Sequence, residues 1–183
     1  MAGEFYNGAK GFTAQLNKPE KDFIRNLLVD VIELISTENS SDDELADLVG
    51  ISDGKRPEDP VLQRLFPDGV KDSEAEATEF RKLSEMNVKE RKLSQLRNAV
   101  KLLSGEGPLV LKPDEAMDFA AALNSVRIVI ATRLDIKDEV QAEQIQFMLD
   151  FNDVKTNEDY LIVTYNFLSW LQDSLMQAML KEM

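Results

Sequence analysis

Two sets of side chains in this sequence carry chemistry at a meaningful spacing. Arg127 and Asn124 stand three residues apart in the segment Pro113 to Ile136. On a helix they share an arc with Met117, Phe119, Ala120, Leu123, Val126, Ile128, Ile130, Ala131 and Leu134, so a guanidinium and an amide are directed toward an apolar core. A guanidinium there either closes a structural ion pair with a carboxylate of the chain or lines a pocket for an anionic ligand. Asp59, Glu79 and Asp118 are the candidate internal partners, and the sequence does not choose among them. If such a pair exists, Arg127→Ala costs ~3 to 5 kcal/mol, because it strands a buried charge. The second set is Arg81, Lys82, Lys89, Arg91, Lys92, Arg97 and Lys101, seven bases against Glu85 and Glu90, a local charge of +5. Three occupants suit that basic face: an acidic segment of a partner protein, a nucleic acid, or the chain's own acidic loops.

Other constellations point to bland roles. The chain has no cysteine and no histidine, which removes thiol redox chemistry, thiolate metal sites and the commonest acid/base group near neutral pH. Glu139 with Glu143 and the run Asp42-Asp43-Glu44 supply carboxylates, but no calcium-loop spacing or Glu-x-x-His pair accompanies them. They read as solvated faces. Gly105-Glu-Gly-Pro108 lacks the lysine and helix start of a phosphate loop and reads as a turn. Trp170, Met176 and Met179 recur at helical spacing and read as core. No catalytic residue, metal or cofactor is assigned, and the balance is against an enzyme.

The 183 residues carry 34 acids and 21 bases, a formal charge of −13. A surface of that sign repels phosphate backbones and anionic lipid, so direct nucleic-acid binding is not expected. The first residues, MAGEFYNGAKGF, show no basic stretch leading into an apolar run, and no segment reaches the ~18 apolar residues of a membrane span. The expected address is the cytoplasm, with no membrane association. Length fits one helical domain over residues 1–183.

The elements that must hold these groups follow from period and punctuation. Residues 1 to 10 carry no usable pattern, whereas Gly11 to Leu16 alternates like a short strand. Asn17, Pro19 and Glu20 then start a helix to about Ser36, and Leu109-Val110-Leu111 before Pro113, Asp114 and Glu115 repeats that order ahead of the central helix. The two strands are expected to pair beside the bundle. Residues 37 to 60, with eight acids against two bases, predict a loop holding one short capped helix from Ser41. Ala46 to Ser52 looks like the turn of a helix-turn-helix, but Pro57, Pro60 and the acids around them replace the basic second helix that reading DNA requires. Asp59-Pro60 caps a short helix ending before Pro67; Ser73 to Ser104 predicts a long helix bent or broken near Asn87; residues 135 to 153 predict a short helix with loops; Thr156 starts a terminal helix. The fold class is mainly α: five to seven helices around a central buried helix, with a two-stranded mini-sheet.

Four ordered blocks, Asp59-PVLQRLFPDG, Glu79-FRKLSE, Leu123-NSVRIVIATRLDI and Tyr165-NFLSWLQDSL, resemble the actinobacterial family called Domain of Unknown Function two-thousand-seventeen. The resemblance spans nearly the whole chain from about residue 12. It implies a small helical cytoplasmic protein whose gene commonly lies near that of the Clp protease adaptor, and it extends to a member type described as an oxidative-stress transcription regulator acting with an alternative sigma factor. A thiol-based sensor needs cysteine, which this chain lacks. The expectation is therefore a non-enzymatic regulator that binds a protein through the 81 to 101 face, with a ligand-binding or enzymatic domain around Arg127 as the alternative. Self-association through the terminal helix is a further expectation.

Overall fold

The computed structural model describes residues 2–37, 57–67, 74–146, 152 and 154–181. Three strands and six helices are present among them: β1 (Tyr6–Gly8), β2 (Gly11–Ala14), α1 (Lys18–Thr37), α2 (Pro60–Leu65), α3 (Glu74–Leu103), β3 (Leu109–Leu111), α4 (Pro113–Arg133), α5 (Glu139–Gln146) and α6 (Asn157–Leu180). The fold is mainly α, as the periodicity implies. The short helix expected from Ser41 and the turn at residues 46–52 lie outside the described residues.

Helix α4 is the hub. It packs against α1, α2, α3 and α6 and touches β2 and β3. Its start is written locally: Pro113 occupies the first turn, where its missing N–H costs nothing, and the Glu115 carboxylate accepts from the Lys112 backbone N–H at 2.9 Å. Its end is a Schellman turn, in which the N–H of Ile136 donates to Ala131 O at 2.9 Å and that of Asp135 to Thr132 O at 3.1 Å. Asp135 takes the left-handed position, φ 54°, that glycine usually fills. Ile136 follows it into the core.

The sheet exceeds expectation by one strand. β2 and β3 pair antiparallel with Phe12 opposite Leu111, the pairing that their sequence similarity suggests, and β1 adds to the other edge of β2 with Tyr6 opposite Thr13. β1 escapes the sequence because its three residues, Tyr-Asn-Gly, have no alternation to detect. What holds it is tertiary: Phe5 stacks edge-on against Phe119, 6.3 Å between ring centres, and its N–H donates to Ser174 Oγ at 3.3 Å. Gly11 is required where β2 meets β3. Its φ is +127°, and a Cβ there would lie 2.3 Å from Leu111 O.

Helix α3 runs unbroken from Glu74 to Leu103, against the break expected near Asn87. Asn87 lies on the exposed side, where an asparagine costs a helix less than ~1 kcal/mol, too little to outweigh the backbone bonds on either side. The turn after α3 is pinned by a group the sequence reading overlooked. Lys21 of α1 is 5% exposed and its ammonium donates to Gly105 O at 2.9 Å and Gly107 O at 2.7 Å. A cation placed on these carbonyls complements the negative end of α3.

Two consequences are measurable. Asp135→Gly should stabilise the fold by about 0.5 to 1 kcal/mol in urea unfolding, since it relieves the left-handed residue and loses only an exposed pair with Lys137. The second concerns Asp159, whose carboxylate is held below its usual value by the backbone N–H of Lys155 and then by Thr156, with which it forms the capping box of α6. A lowered carboxylate value means stability present above the unfolded value of 3.8 and lost as pH falls through the folded one. Asp159→Asn should therefore lower the melting temperature near pH 7, and the difference from wild type should shrink below pH 4.

Candidate functional site

Arg127 does not sit in the core. Between its exposed ends, Pro113 and Arg133, α4 leaves Asp114, Met117 and Asn124 at the surface, with Ala121 and Ile128 half-exposed between and beyond them, a seam at helical spacing; Met117 is 57% exposed. Ser125 is 2% exposed and spends its hydroxyl on Ala121 O at 3.1 Å. The packed face is rotated because Ala116, Ala120 and Ala122 let neighbouring backbones approach, while the hydroxyl of Ser125 is satisfied within its own helix. Asn124 is consequently exposed, and Arg127 is half-buried at the edge of the seam facing α6.

Among the described residues no carboxylate meets Arg127. Its Nη1 donates to Gln172 Oε1 at 2.7 Å and its Nη2 to the Tyr165 hydroxyl at 3.4 Å, and the guanidinium lies 5.2 Å from the centre of the Tyr165 ring. Two of the three candidate partners are engaged elsewhere: Asp59 accepts from Val61 N–H at 2.7 Å as the cap of α2, and Asp118 accepts from Gln95 Nε2 at 3.0 Å. The Glu79 side chain lies outside the described residues.

The described bases of α3 differ in burial. Arg91, Arg97 and Lys101 are exposed on the outer side, whereas Lys89 and Lys92 are half-buried beside the inward residues Leu93, Leu96 and Ala99. The side chains of Arg81 and Lys82 lie outside the described residues. Burial holds the Lys92 ammonium below the usual lysine value, and the adjacent charge of Arg91 lowers it further. Among the described residues no carboxylate pairs with Arg91, Lys92, Arg97 or Lys101. Among them too, no group of acids is arranged to hold a metal ion.

A family model described as Domain of unknown function (DUF2017) matches residues 2–179. The chain belongs to that family. In this DUF2017 fold the blocks that carry the resemblance meet: Arg64 of α2 donates to Ile136 O at the end of α4 at 2.7 Å, and Arg127 of α4 reaches Tyr165 and Gln172 of α6. Relatives named "Oxidative stress regulator AosR", from Mycobacterium bovis (strain ATCC BAA-935 / AF2122/97) and Mycobacterium tuberculosis (strains CDC 1551 / Oshkosh and ATCC 25618 / H37Rv), are 30% identical over 145 residues. The match covers 68% of this chain and 66% of theirs, just under two thirds of their length. No solved structure matches the chain.

With neutral partners in place of a carboxylate, Arg127→Met should cost about 1 to 2 kcal/mol in chemical denaturation, the scale of one hydrogen bond and one cation–π contact. A loss of ~3 to 5 kcal/mol would mean that the charge is paired after all.

Proposed function

We propose that this protein is a non-enzymatic regulator that works in the cytoplasm by binding another protein through the basic part of α3, centred on Lys89, Arg91 and Lys92 and extended by Arg97 and Lys101. The observation that carries this reading is Lys92. A half-buried ammonium beside a second cation, with no carboxylate in pairing distance among the described residues, carries an electrostatic cost in the free protein. An acidic side chain brought by a partner would relieve it. The printed name of the relatives, a stress regulator, supports a regulatory role, and the charge of −13 favours contact with a protein over contact with nucleic acid. Thiol sensing is not part of the proposal, because the chain has no cysteine.

The partner is sought by affinity capture from native lysate with mass spectrometry, comparing wild type with a variant carrying Lys89→Glu, Arg91→Glu and Lys92→Glu. A specific partner should be present with the first and lost with the second, and salt should weaken it. Lys92→Met separates binding from folding: it should leave the melting temperature unchanged or raised while weakening the captured complex about tenfold. Capture that is indifferent to all four substitutions sinks the proposal.

A further inference from the structure

The seam between α4 and α6 holds polar groups whose bonding the protein leaves incomplete. Both hydrogen-bond acceptors of the Arg127 guanidinium are neutral, in a chain with 34 acids, and its Nε–H is buried with no acceptor. On α6, Ser169 lies one turn from Tyr165 and from Gln172, is 8% exposed, and its hydroxyl has no partner. That is unlike the other serines and threonines of these two helices. Ser125, Thr132, Thr164 and Ser174 each donate to a carbonyl three or four residues earlier on their own helix. The unspent Ser169 hydroxyl thus stands, by helical spacing, on the face of α6 that carries the Arg127 contacts Tyr165 and Gln172, with the exposed Asn124 amide one turn from Arg127 along α4.

We propose that this seam is a carboxylate-binding site. The planar guanidinium, stacked on Tyr165, presents the fork that matches a carboxylate, and Gln172 is a replaceable acceptor whose amide can turn to offer its NH2 instead. The Ser169 and Tyr165 hydroxyls are further donors. The charge class follows from the count of cations. Arg127 is the sole cation making these contacts, and the chain's charge of −13 opposes a phosphate dianion, so the ligand is a monoanion. The carboxylate comes either from a free small acid or from an acidic side chain of a partner protein. The site is separate from the basic part of α3 and does not rest on that reading.

The test follows the Arg127 Nε–Hε resonance by 1H–15N NMR, assigned by its loss in Arg127→Lys. Sodium acetate, a blocked Gly-Glu-Gly peptide and sodium chloride are titrated at matched ionic strength. Acetate or the peptide should shift the resonance to saturation with half-effect in roughly the millimolar range, while chloride should not. Comparable half-saturation by both identifies a site for carboxylate from either source, and binding of the peptide about tenfold tighter than acetate identifies a partner's side chain. Equal, unsaturating drift with all three overturns the proposal. Ser169→Ala deletes a hydroxyl without a partner and should fold; it should weaken acetate or peptide binding several-fold, and unchanged binding removes Ser169 from the site. Asn98→Ala, at an exposed position of α3 away from the seam, serves as a folded surface control.

Discussion

Helix α4 must be covered on most of its circumference, and the architecture follows from that demand. Ten of its residues, Ala116 to Ala131, are buried, and four helices and two strands supply the cover. Each large apolar side chain among them stabilises the fold by about 1.5 to 3 kcal/mol relative to exposure, so no arrangement that leaves α4 open competes. Phe119, Leu123 and Val126 meet the inward faces of neighbours whose own stripes, such as Ile24, Leu28 and Ile35 of α1 or Leu168, Leu171 and Leu175 of α6, have the same need.

Polar side chains then fix how the covering elements sit. Several reach from one element to the backbone of another: Lys21 to the turn after α3, Arg64 to the end of α4, Asn166 to Ile145 O, and Ser174 to the N–H of Phe5. Backbone groups at helix ends have no partner within their own helix, and a long side chain from a neighbour satisfies them at a defined distance and angle. In a chain with so many acids, buried Lys21 and half-buried Arg127 are thus bonded to neutral carbonyl, amide and hydroxyl oxygens. Among the described residues neither Arg127 nor Lys92 is paired with a carboxylate.

Those two bases separate what belongs to folding from what points outward. Lys21 donates to two carbonyls and belongs to the fold. Lys92 and Arg127 are each half-buried with no opposite charge among the described residues, a condition that binding can improve. Membership of DUF2017 names no chemistry, and the AosR relatives contribute the idea of regulation without a site. The physical state of these side chains therefore carries the functional argument further than similarity does.

Much of the fold was legible in the residues. Proline and acid pairs at Asp59-Pro60 and Pro113 to Glu115, the capping run at Thr156, and apolar residues at helical spacing mark elements whose local energies and burial agree, so α1, α2, α4, α6 and the β2–β3 pairing could be read directly. The missed features share a different property. β1 has no pattern of its own and exists because Phe5 finds Phe119 and Ser174; the end of α4 is set at Asp135 because Ile136 is drawn into the core; Lys21 is buried because a distant turn offers it two carbonyls. The orientation of α4 belongs with these. Helical spacing marked an apolar arc that included Asn124 and Arg127, but which face was covered depended on where alanines and a self-satisfied serine allowed neighbours to come close. Sequence alone therefore determined that a guanidinium would stand on the central helix, and only tertiary packing decided that it would lie at an open seam against Tyr165 and Gln172, since contact distance between helices is a property of two surfaces rather than one.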